Sequence, residues 1–119
     1  MVKFCVITIY VHDMKSAVDF YTTKLGFMVV HSSDCIVHLD TDGPTVILEK
    51  AATPNVAQYP KASQVVLAMS TEDLKTTASE LRAADVVFIH DTPMDFPGGI
   101  FMAFRDPSGN VIELLQFKN

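Results

Sequence analysis

Residues 4–11, FCVITIYV, form a run dense in β-branched and aromatic side chains, which predicts a buried strand. Behind it the period changes. Met14, Ala17, Val18, Tyr21 and Leu25 recur at helical spacing. Asp13 is placed to cap the first turn, and Gly26 to take the left-handed position after the last. FMVVHSS, CIVHLDT and TVILEK then read as three short strands, with the turn residues TDGP between the last two. Residues 51–63, AATPNVAQYPKAS, contain two prolines and no steady period, and read as a linker. QVVLAM restarts the pattern as a strand. Ser70 with Asp73 predicts a capping box before a helix whose inner face is Leu74, Thr77, Ala78 and Leu81. VVFIHD, IFMAFRD and NVIELLQF are again strands, separated by the loops MDFPGG and DPSG.

The order strand, helix, three strands therefore occurs twice, an internal repeat of about half the chain. Val6 and Gln64 open matching strands 58 residues apart, and Met14 and Leu74 open matching helices 60 apart. Asp85 stands where the first copy has Gly26, and aspartate tolerates the left-handed conformation better than most residues. The chain reads as one domain, 1–119, of class α+β. Repeat one is 1–52, the linker 53–63 and repeat two 64–119. The two βαβββ repeats are expected to form a curved mixed sheet around a cavity, with the helices on the outside.

Strand alternation assigns faces. Ile7, Ile9 and Val11 are expected to cover the first helix, leaving Val6, Thr8 and Tyr10 on the concave front. Val65, Leu67 and Met69 take the helix side in the second copy, and Gln64, Val66 and Ala68 the front. In the last strand Ile112 and Leu114 belong to the back, and Val111, Glu113 and Leu115 to the front. Cys5, in an apolar run, reads as a small core residue.

Composition narrows the partners. With 14 acidic and 9 basic residues the formal charge is −5, which argues against nucleic acid, whose phosphates need clustered Lys and Arg. A neutral or cationic small molecule fits better. The two cysteines, Cys5 and Cys35, form no CxxC and no zinc-like spacing, so a reducing, cytoplasmic setting is expected. The start MVKFCVITIYVHD lacks the basic and small-residue features of a signal peptide, and no apolar run approaches a membrane span.

Glu113, inside RDPSGNVIELLQF, is the strongest candidate for chemistry. Two apolar residues flank it on each side, and burying an unpaired carboxylate is costly. Its roles are metal ligand, general base or counter-charge to a ligand. Glu49 ends a strand as part of LEK, where an exposed Glu–Lys pair is the ordinary reading. Gln64 offers an amide to a metal or a substrate. His38 reads as a structural or surface histidine, and His12, His31 and His90 as solvated strand-end residues. Asp106, Pro107 and Gly109 carry a turn. Phe96, Pro97, Gly98 and Gly99 form a loop, either at a pocket rim or simply connecting.

YVHDMKSAVDFYTTKLGF near the start and FRDPSGNVIELLQF near the end resemble the vicinal-oxygen-chelate superfamily of glyoxalases, bleomycin-resistance proteins and extradiol dioxygenases. The resemblance covers nearly the whole chain. It implies four metal positions on the first and last strands of the repeats, which fall here on Val6, Glu49, Gln64 and Glu113. Val6 cannot ligate, and no histidine occupies any of the four. Glu49, Gln64 and Glu113 remain as an oxygen-donor set for a divalent ion such as Mg, Mn, Ni or Zn. A shifted register would put Leu48 in place of Glu49. The resemblance thus implies a glyoxalase-like protein acting on or binding a small molecule. One form is a metal-dependent lyase, isomerase or thiol transferase with Glu113 as ligand and base. The other is a metal-free, bleomycin-resistance-like protein that sequesters a small, cationic ligand. It also implies a homodimer.

Overall fold

In a computed structural model of the chain, residues 1–53, 58–61 and 65–119 are described. The chain divides into two compact units, Met1–Asn55 and Val56–Asn119. Each repeats the strand–helix–strands plan, in agreement with the α+β, βαβββ expectation.

The first unit contains β1 (Val6–Val11), α1 (Met14–Asp19), β2 (Met28–Ser32), β3 (Ile36–Asp40) and β4 (Thr45–Lys50). Its sheet runs β1-β4-β3-β2, with β1 parallel to β4 and the other pairs antiparallel. Asp13 caps α1 as expected, its carboxylate accepting from the amides of Lys15 and Ser16. The predicted helix then continues as a π-helical turn over Phe20–Lys24, closed by the Leu25 amide on the Phe20 carbonyl. Ala17, Phe20 and Tyr21, at i, i+3 and i+4, are all buried on the inner face of this helical segment. The rings of Phe20 and Tyr21 meet edge to face at 5.1 Å. Ile9, Val11, Val37, Leu39 and Leu48 complete the core, so the predicted alternation of β1 holds. The strand begins later than expected, however. Cys5 lies before it and is exposed, not a core residue, because residues 1–5 join no ladder.

The second unit contains β5 (Leu67–Ser70), α2 (Leu74–Ala83), β6 (Val87–Phe88), β7 (Met94–Phe96), β8 (Gly99–Arg105) and β9 (Val111–Phe117). The sheet order is β5-β9-β8-β6, with β7 also paired to β8, and β5 is parallel to β9. Asp73, not Ser70, caps α2: its side chain accepts from the Thr76 amide, while Ser70 ends β5. Thr71 instead bonds the Thr77 hydroxyl at 2.7 Å. Gln116, reaching across from β9, accepts the Leu74 amide at 2.7 Å and satisfies another of the first-turn donors. Leu74, Ala78 and Leu81 are buried, as are Met102, Phe104, Ile112 and Leu114 on the sheet. Asp85 takes the left-handed conformation predicted for it, at φ 66°, matching Gly26 at φ 86°.

VVFIHD shortens to two strand residues, because the side chain of His90 replaces the ladder beyond Ile89. MDFPGG, expected as loop, contains β7 and the first residue of β8. Gly99 packs so closely on β9 that a Cβ there would collide with the Gln116 carbonyl.

Candidate functional site

The turn before β9 sets the register of everything on that strand. Asp106, nearly fully buried, accepts from the Ser108 and Asn110 amides at 2.9 Å through Oδ1 and from the Asn110 side-chain amide at 2.9 Å through Oδ2. Its own amide donates to the Asn110 carbonyl at 2.9 Å, and Gly109 closes the turn at φ 86°. The ladder then runs without slippage from Arg105↔Val111 to Gly99↔Phe117. Because side chains alternate with period two, this anchoring decides which face Glu113 presents.

Glu113 pairs with Ala68 on β5 and Ala103 on β8, and paired residues share a face. Its flanking residues Ile112 and Leu114 are buried against the helix side, so Glu113 stands on the opposite front. The next row on that face is Ser70, Leu115, Phe101 and Met94. Phe96 touches both Phe101 and Phe117, at ring distances of 6.1 and 6.0 Å. A half-buried carboxylate therefore sits between two methyl groups at the border of an apolar and aromatic surface.

Its partner comes from the segment read as a linker. The hydroxyl of Tyr59 donates to Glu113 Oε2 at 2.5 Å. Burial pushes the Tyr59 phenol up to about 12, and Glu113 adds to the shift through the hydrogen bond and its negative charge. A carboxylate offers about four lone-pair sites, and Tyr59 takes one of them. No periodicity or turn signal around Tyr59 marks it for this role.

His90 is not a solvated strand-end residue. Its Nε2 accepts the Ala103 amide at 3.1 Å, and its Nδ1 lies 2.8 Å from the Thr92 carbonyl. An amide only donates and a carbonyl only accepts, so the ring is neutral with its proton on Nδ1. It thereby holds β8 at the row of Glu113.

Glu49 occupies the corresponding place in the first unit. It pairs with Tyr10 and Ile36, on the same face as Val6 and Thr8, while Leu48 is fully buried on the helix side. The shifted register is thus excluded. Tyr10 and Ala68 keep the spacing of Val6 and Gln64, so Glu49 and Glu113 are equivalent in the two repeats. Val6 pairs with Thr45, four residues up the strand from the Glu49 row, or about 13 Å of extended chain. Gln64 lies outside the described residues.

Among the described residues, neither carboxylate has an imidazole, thiol or second carboxylate paired beside it in its own sheet. Within its own sheet Glu113 has alanines on both sides, and Glu49 has a phenol and an isoleucine. Among the described residues no three His, Cys, Asp or Glu converge as a metal-binding group. No helix among them is long and apolar enough to cross a membrane.

The profile of the glyoxalase/bleomycin resistance protein/dioxygenase superfamily matches residues 3–114. YetH of Bacillus subtilis, described as uncharacterized, is 26% identical over 121 residues, covering 92% of this chain and 94% of its own. Among solved structures, UcmS2 is 28% identical with a TM-score of 0.74, covering 96% of this chain and 97% of that one. TnmS3, an antibiotic binding protein from Streptomyces sp. CB03234, is 24% identical with a TM-score of 0.73, covering 99% of this chain and 98% of that one.

Proposed function

Because the chain belongs to the glyoxalase/bleomycin resistance protein/dioxygenase superfamily, which binds small molecules, we propose that it binds one on the front of its C-terminal sheet without a metal. Glu113 is the polar anchor and Tyr59 orients it. The observation that carries this reading is the Tyr59–Glu113 hydrogen bond in a row whose other members are alanines. With one lone pair taken, the carboxylate is left to accept from an ammonium, amidinium or N–H group. Leu115, Phe101 and Phe96 supply apolar surface for the body of such a molecule. The net charge of −5 favours a cation as it approaches. The antibiotic-binding role of TnmS3 is a precedent at the level of the fold.

The test is thermal shift and calorimetry with chelator present, across a panel of cationic and uncharged aromatic compounds. A ligand held at one hundred times its Kd stabilises by about 2.7 kcal/mol. Glu113→Gln keeps an acceptor for Tyr59 but removes the charge, and should weaken a cationic ligand roughly 10- to 100-fold, as expected for a charge-assisted hydrogen bond. Unchanged affinity in that variant overturns the reading.

The equivalence of Glu49 and Glu113 favours a second reading, a metal-dependent enzyme using Glu49, Gln64 and Glu113. There a metal would compete with Tyr59 for Glu113. Metal-dependent stabilisation that disappears in Glu113→Gln, with no response to any organic ligand, would select it.

A further inference from the structure

His31 and His38 share a row of the first sheet only because β2 is bulged. Val29 pairs with Leu39, but His31 pairs with His38, so one residue, Val30, is passed over. Without that extra residue the alternation would turn His31 to the other face. The bulge brings the two imidazoles together, with ring centres 5.6 Å apart and planes at 82°. His31 is exposed and His38 half-buried. Among the described residues neither ring hydrogen-bonds to another group, so both nitrogen pairs are uncommitted. On its other side His38 faces Ile47, which offers no donor.

Two imidazoles bound to one ion, each nitrogen about 2 Å from it, place their ring centres roughly 5 Å apart at a tetrahedral angle. The observed separation of 5.6 Å is close to that. We propose that His31 and His38 form a two-imidazole site for a first-row transition-metal ion of the Ni, Cu and Zn class, with water completing the coordination. Imidazole selects these ions over Mg and Ca, and Cu binds tightest. Bound there, the ion straps the edge strand β2 onto β3. The site shares no residue with Glu49, Gln64 or Glu113.

The experiment uses untagged full chain carrying Cys5→Ser and Cys35→Ser, which removes the two exposed thiols as competing ligands. Zn2+ and Cu2+ are titrated calorimetrically, and the Cu2+ form is examined by electron paramagnetic resonance. The parent should bind one ion through two imidazole nitrogens and show no uptake of Mg2+. His31→Asn and His38→Gln should each lower Zn2+ affinity at least about tenfold, or about 1.4 kcal/mol. His31→Asn lies at an exposed position and should leave the metal-free melting temperature unchanged. Glu113→Gln should bind the ion like the parent. A one-imidazole spectrum in the parent, or unchanged affinity in both histidine variants, overturns the proposal.

Discussion

The hydroxyl of Tyr59 meets Oε2 of Glu113 across 54 positions of sequence. The carboxylate lies in the middle of an apolar strand and the phenol in a proline-rich connection, so each is explained by the other. Tyr59 lends Glu113 the hydrogen bond that its alanine neighbours cannot, and Glu113 holds the proton on Tyr59.

That pairing predicts a titration. One phenol of the folded chain should ionise at about 12, and this component should vanish in Tyr59→Phe. An unfolded chain releases the same proton near about 10. Stability from the pair is therefore intact below pH ~10 and is lost as pH rises toward about 12. Denaturant melts across this window should fall more steeply for the parent than for Tyr59→Phe. Equal slopes would show that the phenol titrates alike in both states.

His90→Ala should destabilise by about 2 kcal/mol, since the variant strands the Ala103 amide and frees the Thr92 carbonyl. Urea unfolding measures the loss. Because Ala103 pairs with Glu113, amide exchange at Ala103 should accelerate in the same variant. Unchanged exchange would remove His90 from any part in holding that row.

Asp106→Ala should cost about 3 kcal/mol, because a buried carboxylate accepting three hydrogen bonds is removed from the turn that starts β9. Asp106→Asn keeps an acceptor and should recover part of that loss. Ligand binding that requires Glu113 should weaken along with the turn, because the β9 register begins there. A variant as stable as the parent would mean that the strand pairing alone sets the register.

Gly99→Ala should destabilise by roughly 1–3 kcal/mol, the range for overpacked positions, as its Cβ meets the Gln116 carbonyl. The effect should appear in urea unfolding as a lower midpoint with the same slope. A neutral result would require β8 and β9 to move apart at that end.

Much of the fold follows from neighbours along the chain. The helical stripes, the Asp13 cap, the left-handed positions at Gly26 and Asp85 and the alternation of β1 and β9 are all short-range consequences of side-chain spacing and backbone sterics. So is the doubling of the βαβββ unit, because the same spacing recurs. The front-facing position of Glu113 is likewise readable from its place between Ile112 and Leu114.

Contacts formed between distant segments carry no such signature. The π-helical hydrogen bonding over Phe20–Lys24 leaves the apolar spacing of the helix unchanged, so periodicity does not reveal it. His90 ends β6 because an imidazole can stand in for a strand, which VVFIHD does not announce. The bulge at Val30, the choice of Glu49 over Leu48, and the phenol that closes on Glu113 depend on which strand lies alongside and in what register. Local spacing decides which way a side chain points, whereas pairing between strands decides what it meets there.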